Sequence, residues 1–236
     1  FWWEWAHRFL ARLIGLLFLI PLIYFFFKKG IKQTRPLFYI FILICLQGFI
    51  GWLMVESGLI KRVDVSHFRL SLHLTTAFII LSLILWQILK HTKINENSQH
   101  LIKYKLPSVF LFILFLQIIF GAFVSGMDAG KIYNSWPLMG SSYFPDDNNF
   151  KDLFKLSVFS DPSLVQFIHR NLAYVISIFY LSILVIIYRK KMFDLYKTIN
   201  NLGIILISQI FLGILTVIYG AQIYIASMHQ ISSIFL

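Results

Sequence analysis

The stretch FWWEWAHRFLARLIGLLFLIPLIYFFF, residues 1–27, decides the fold class of this chain. From residue 9 to residue 27 it carries one charged side chain, Arg12. A helix needs roughly 20 predominantly apolar residues to cross about 30 Å of hydrocarbon. The stretch therefore predicts a membrane-spanning helix, with Glu4, His7 and Arg8 at its entrance.

The rest of the chain has the same character. Of its 236 residues 58% are hydrophobic and 13% are charged, against about 25% charged in soluble domains. Six stretches have spanning length, and a seventh apolar run of 14 residues begins at Ile223. The six cover residues 9–27, 36–55, 70–89, 106–124, 164–188 and 202–220. The sequence predicts an all-α polytopic membrane protein, and its single cysteine, Cys45, excludes a disulfide framework or a thiolate metal cluster.

The basic residues are distributed unequally between the two sides of the membrane. The connections after the first, third and fifth spans hold twelve of the 21 basic residues and two of the ten acids, Glu96 and Asp194. Lysine and arginine favour cytoplasmic loops, so these connections are predicted to be cytoplasmic. This orientation accounts for the net charge of +11 without nucleic acid, and it places His7 near the outer surface.

An internal repeat organises the spans. His7-Arg8 recurs as His169-Arg170, 162 residues later, and the same offset relates Gln47 to Gln209, Gly51 to Gly213 and Gly58 to Gly220. His73 maps to His229 after a six-residue gap. We therefore expect two parallel-repeat four-helix bundles, residues 1–103 and 104–236, with eight spans in all. The first span is expected upstream of residue 1, and the last is expected to be truncated here.

Four histidines are predicted to share one depth. Ionisable residues inside spans are functional candidates by default, and His7, His73, His169 and His229 each lie near the outer end of a span. Two pairs, one in each repeat, favour axial ligation of heme iron by facing helices. A zinc site is the alternative metal, although few carboxylates or thiols accompany either pair.

Charged neighbours distinguish the two pairs. Arg8, Arg69 and Arg170 stand beside the histidines and are candidates for heme propionates or for lipid headgroups. Glu4 precedes His7 by three residues on the same helical face, whereas Gln166 holds the matching position before His169. A carboxylate there can accept protons or stabilise positive charge, or it can simply favour the helix dipole. The asymmetry favours chemistry in the first unit and electron transfer or structural support in the second.

Seven motifs resemble the heme A synthase family of cytochrome c oxidase assembly. They are EWAHR at 4–8, GWLMVESGL at 51–59, RLSLH at 69–73, GAFVSGMDAG at 121–130, YNSWPLM at 133–139, VQFIHR at 165–170 and MHQ at 228–230. They follow one another over almost the whole chain. The outer loops of this sequence hold no cysteine pair, so it resembles the cysteine-free branch found in proteobacteria and mitochondria.

The resemblance implies conversion of heme O to heme A, in which a ring methyl becomes a formyl group through two hydroxylations. It implies that His7 and His73 hold the substrate heme beside the catalytic Glu4, and that His169 and His229 hold heme b as cofactor. The segment 133–139 is assigned no chemistry: it covers a heme edge or packs on the membrane surface. The acidic run 146–149 is expected to be a solvated loop.

Further expectations follow from this resemblance. The partners are heme O, the lipid bilayer and, as candidates, heme O synthase (protoheme farnesyltransferase) and a second copy of the chain; nucleic acid is not expected. The expected location is the bacterial plasma membrane rather than the mitochondrial inner membrane. Two other functions stay open: a diheme b-type electron carrier, which should tolerate Glu4→Gln, and a repeat-built transporter, which would need broken helices near the midplane.

Overall fold

A computed structural model describes residues 2–58, 65–92 and 106–236. Seven α-helices occupy most of these residues, and no β-strand forms within the three ranges. The helices are α1 (Trp2–Lys29), α2 (Ile31–Gly58), α3 (His67–His91), α4 (Leu106–Gly126), α5 (Pro162–Arg189), α6 (Tyr196–Ile218) and α7 (Ile223–Ser232). The first six are long and apolar enough to cross a membrane. The predicted class, an all-α polytopic membrane protein, is confirmed.

The helices extend beyond the predicted spans. Only Gly30 separates α1 from α2, although the sequence predicts a connection over residues 28–35. Gly30 has a φ of +75°, in the left-handed region where glycine ends helices without steric cost. The basic residues of this connection therefore lie on the helix ends.

The chain forms two compact units, Phe1–Ile94 and Asn95–Leu236. In the first unit, α2 packs against both α1 and α3. Ile40 and Ile50 of α2 are buried, whereas Leu16, Ile20 and Phe27 of α1 are more than half exposed. Apolar faces turned outward are what lipid would cover, because hydrocarbon solvates them as well as a protein core does.

The second unit has an extensive apolar core between α4, α5 and α6. Ile176 and Ile187 of α5 are each 2% exposed. Tyr180 lies between them, and its hydroxyl donates to the carbonyl oxygen of Ile199 on α6 at 3.2 Å. The core fixes α5, which carries His169, against its two neighbours.

An ordered outer loop of 35 residues joins α4 to α5, over residues 127–161. It contains three short 3₁₀ helices, Ala129–Lys131, Phe150–Phe154 and Leu156–Ser160. Asp161 ends the loop and caps α5, because its carboxylate accepts a hydrogen bond from the Leu164 amide at 3.0 Å. The loop thus leads directly into the helix that carries His169.

The histidines expected in loops occupy other positions. His67 and His91 are the first and last residues of α3. The predicted third span was therefore too short at its outer end, where polar residues hid the helix start. His100 lies outside the described residues.

Candidate functional site

The four histidines predicted to bind iron occupy equivalent positions along their helices. They are the sixth residue of α1 (His7), the seventh of α3 (His73), the eighth of α5 (His169) and the seventh of α7 (His229). Each therefore lies at about the second turn. Backbone amides of the first turn have no intrahelical partner, and the second turn is the first fully bonded, rigid part of the helix.

In the first unit the structure brings His7 and His73 together. Their ring centroids are 6.5 Å apart and the ring planes make an angle of 63°. Two metal–nitrogen bonds of about 2 Å, with about 1 Å more from nitrogen to ring centre on each side, require ring centres about 6 Å apart. The spacing fits one metal ion held by both imidazoles.

In the second unit His169 and His229 are close enough for their charges to interact. The Nδ1 atoms of His169 and His229, like that of His73, are buried and have no hydrogen-bond partner within the described residues. A buried polar atom without a partner costs about 1–3 kcal/mol. Imidazole nitrogens left in this state are suited to a ligand, and paired imidazoles fit axial positions of heme iron.

The donor set favours heme over zinc. Within residues 2–58, 65–92 and 106–236, no group of three or more His, Cys, Asp or Glu side chains is placed to hold a metal ion. Zinc sites in proteins use three or four such ligands. Two facing imidazoles suffice for heme, because the macrocycle supplies the other four ligands.

Glu4 and Arg8 form an ion pair across one turn of α1. Both side chains are about half exposed, at 53% and 51%. The pair lies beside His7, since positions three and four residues apart share a helix face. Arg8, predicted as a propionate partner, is thus bonded to the predicted catalytic carboxylate. Arg69 lies on α3, four residues before His73, and is exposed.

Arg170 is bonded differently from Arg8, although the repeat relates them. Its Nη1 donates to the Ser135 carbonyl oxygen and its Nη2 to that of Tyr133, each at 2.9 Å. Gln166, 2% exposed, donates from Nε2 to the same Tyr133 oxygen at 3.0 Å. Segment 133–139, to which the sequence assigned no chemistry, is therefore held on α5 at the level of His169.

The acidic run 146–149 organises the outer loop instead of being only solvated. Hydrogen bonds from the backbone amide of Ser141 and from the Ser142 hydroxyl lower the pKa of Asp146. Desolvation opposes ionisation of Asp147, but hydrogen bonds from the hydroxyls of Ser163 and Tyr133 hold its pKa below the usual range. Desolvation and the bond to Asp147 raise the pKa of Tyr133. Sequence pattern alone missed these contacts because the partners lie up to 16 residues apart.

Two glutamines that the sequence analysis did not assign to the site contact its histidines. Gln117 of α4 has Nε2 3.3 Å from Nε2 of His169. Gln47 of α2 donates from Nε2 to the His73 carbonyl oxygen at 2.9 Å. The available signal was a spacing: a glycine follows each glutamine by four residues.

The fold and the site together define a polytopic, all-α membrane protein with paired histidines suited to heme. The profile of the COX15-CtaA family, described as cytochrome oxidase assembly protein, matches residues 1–236. The chain belongs to this family.

Similar proteins agree with this assignment. The heme A synthase of Pelagibacter ubique (strain HTCC1062) is 48% identical over 99% of this chain and 69% of its own length. That of Rickettsia bellii (strain RML369-C) is 42% identical, with shares of 99% and 71%. That of Flavobacterium johnsoniae is 38% identical, with shares of 100% and 71%. No solved structure matches the chain. The resemblance drawn from the seven motifs is confirmed.

Proposed function

We propose that this chain is a heme A synthase, an oxidoreductase that converts heme O to heme A for cytochrome c oxidase assembly. The observation that carries the proposal is the His7–His73 pair, with ring centroids 6.5 Å apart, beside the Glu4–Arg8 ion pair. Membership of the cytochrome oxidase assembly family and relatives named heme A synthase support it.

The proposed reaction takes place on a ring methyl of the substrate. Two successive hydroxylations replace two C–H bonds by C–OH bonds, and the resulting gem-diol loses water to leave a formyl group. His7 and His73 hold the iron of heme O, which fixes the distance from the methyl to nearby side chains. Glu4, one helical turn from His7, accepts protons released there or stabilises positive charge at the reacting carbon.

The second histidine pair is proposed to hold heme b, which supplies one-electron transfer when bound. The orphaned Nδ1 atoms of His169 and His229 support ligation at this place. Arg170 and Gln166 bind the outer loop, so their part is to close the outer end of this site. Arg8 and Arg69 are proposed to bind propionates of the substrate heme.

The surroundings of this enzyme follow from its chemistry. Six apolar helices and bacterial relatives support a multi-pass protein of the bacterial plasma membrane. Heme O is poorly soluble in water, so we propose that it passes directly from heme O synthase. A homo-oligomer is proposed as the working assembly.

The test is expression of the full-length protein with heme O synthase, followed by extraction and mass identification of the hemes. Wild type is expected to yield heme b and heme A. Glu4→Gln is expected to keep heme b but to accumulate heme O or a partly oxidised heme, whereas Gln87→Leu, near the opposite end of α3, serves as the matched control. Heme b alone in wild type would support the electron carrier instead.

A further inference from the structure

Three helices carry the same pair of residues, a glutamine followed four positions later by a glycine. The pairs are Gln47 and Gly51 on α2, Gln117 and Gly121 on α4, and Gln209 and Gly213 on α6. Residues four apart lie on one helix face. Each of these helices precedes a helix that carries a predicted ligand: His73 on α3, His169 on α5 and His229 on α7.

The glycines lie directly against the imidazole rings. A Cβ atom built on Gly51 would lie 3.1 Å from Cε1 of His73. The corresponding distances are 3.1 Å from Gly121 to His169 and 3.2 Å from Gly213 to His229. Optimal carbon–carbon contacts are about 3.5–4.0 Å, so any side chain at these positions would displace the ring. The same contact, made three times with nearly the same distances, indicates a requirement of the histidine and not of one helix pair.

The glutamines bind the same helices as the rings, each in its own way. Gln117 reaches the ring of His169, whereas Gln47 donates to the backbone carbonyl of His73. Gln209 lies 2.5 Å from the hydroxyl of Ser232, three residues after His229, and that hydroxyl donates to the His229 carbonyl oxygen at 3.2 Å. Each glutamine therefore fixes the turn of helix on which its histidine stands.

Unpartnered polar atoms connect the two observations. The amide oxygens of Gln47 and Gln117 are buried and accept no hydrogen bond from the described residues. Nδ1 of His73 and Nδ1 of His169 are in the same state. When one imidazole nitrogen binds a metal ion, the other carries a hydrogen that needs an acceptor, and such outer partners orient the ring and raise its basicity.

We propose that each Gln-x-x-x-Gly pair positions the neighbouring histidine for heme ligation, the glycine by admitting the ring and the glutamine by holding it. Gln117 acts on the ring of His169 and is the hydrogen-bond acceptor for its N–H in the heme-bound state. Gln47 and Gln209 act through the backbone of the ligand's helix. This proposal rests on the proposed heme ligation and extends it to six residues that do not touch iron.

The experiment uses the full-length protein purified with its bound heme b. Optical redox titration and electron paramagnetic resonance follow the heme held by His169 and His229. Gln117→Leu removes the acceptor and should raise the reduction potential, since a less basic imidazole stabilises ferric iron less. Gln117→Glu should lower it. Gln47→Leu should leave the heme b potential unchanged, because Gln47 serves the other pair.

The glycine substitutions form a graded series with an internal control. Gly121→Val and Gly213→Val should lower the affinity for heme b about 10-fold, the size of typical outer-partner effects, and Gly121→Ala should change the paramagnetic g values through ring rotation. Gly48→Ala is the control, because a Cβ on Gly48 meets nothing within 4 Å. Heme content is measured on protein that elutes as a folded species, so an unfolded variant is replaced by the milder alanine change.

The possible failures are distinguishable. If both Gln117 variants keep the wild-type potential and Gly121→Ala behaves like Gly48→Ala, positioning is refuted, whether or not heme A forms. If the potentials shift as expected but wild type makes no heme A, the proposed synthase function fails and the positioning role stands. A wild type without bis-histidine heme b would refute both.

Discussion

Replacement of Arg170 should release the outer loop from α5. Arg170 makes two hydrogen bonds of 2.9 Å to the carbonyl oxygens of Ser135 and Tyr133, and a longer one of 3.4 Å to that of Leu138. A hydrogen bond to a charged group contributes about 1.5–3 kcal/mol. The Ser135 bond is solvent-exposed, so the low end applies and Arg170→Ala should cost about 3 kcal/mol for the two short bonds.

That free energy sets the size of the measurable effect. At 1.4 kcal/mol per factor of ten, about 3 kcal/mol raises the open population of the loop roughly 100-fold. Hydrogen exchange of the protein in lipid nanodiscs reports this population at the amides of Met139 and Ser141, which donate to the Ser142 carbonyl and the Asp146 carboxylate. Their protection should fall roughly 100-fold in Arg170→Ala.

Two further variants make this test specific. Arg170→Lys keeps the charge but loses the planar fork that reaches two carbonyls at once, so it should restore only part of the protection. Arg189→Ala, at the other end of α5, is the matched control. Unchanged exchange at Met139 and Ser141 in Arg170→Ala would refute the reasoning, because the loop would then be held by other contacts.

Two other predictions concern the loop and the core of the second unit. The lowered pKa values of Asp146 and Asp147 contribute stability above the usual aspartate range of about 4, lost as the pH falls further, and the raised pKa of Tyr133 contributes below about pH 10 and is lost as the pH rises. Trp136 fluorescence, taken as the difference from Trp136→Phe, should therefore be constant between these limits; a transition near neutrality would contradict this. Gly203→Ala should destabilise the unit by about 2 kcal/mol through overpacking against the Tyr180 hydroxyl, and less in a Tyr180→Phe background. Equal losses in both backgrounds, measured by thermal unfolding, would show that the two residues are not coupled.

The fold class could be predicted from sequence because one physical requirement dominates it. A helix that satisfies its own backbone hydrogen bonds is the simplest way to cross hydrocarbon, and its length is visible as an apolar run. Helix ends were predicted less well. Polar residues such as Ser66 and His67 extend α3 outward, and the single residue Gly30 replaces a predicted connection, because hydropathy marks the hydrocarbon and not the hydrogen-bonded helix.

The site was predictable where it depends on register along one helix. The position of each histidine in its helix follows from spacing, and so does the proximity of Glu4, Arg8 and His7. Contacts between distant segments were not predictable. Nothing in the local pattern of VQFIHR indicates that its arginine binds carbonyls 32 to 37 residues earlier, or that Gln117 reaches across to His169. Such contacts depend on how the helices pack.

The repeat separates what a histidine site of this kind requires from what differs between its copies. The histidine and the glycine facing it recur, as expected if both serve ligation alone. The residue three before the first histidine differs: Glu4 pairs with an arginine on its own helix, whereas Gln166 is buried and donates to the Tyr133 carbonyl. A carboxylate could not make that bond, since it has no hydrogen to donate at neutral pH, and its charge would be buried without a partner. The second copy is thereby committed to holding its loop, and Glu4 alone of the two matched side chains keeps a titratable group next to its histidine.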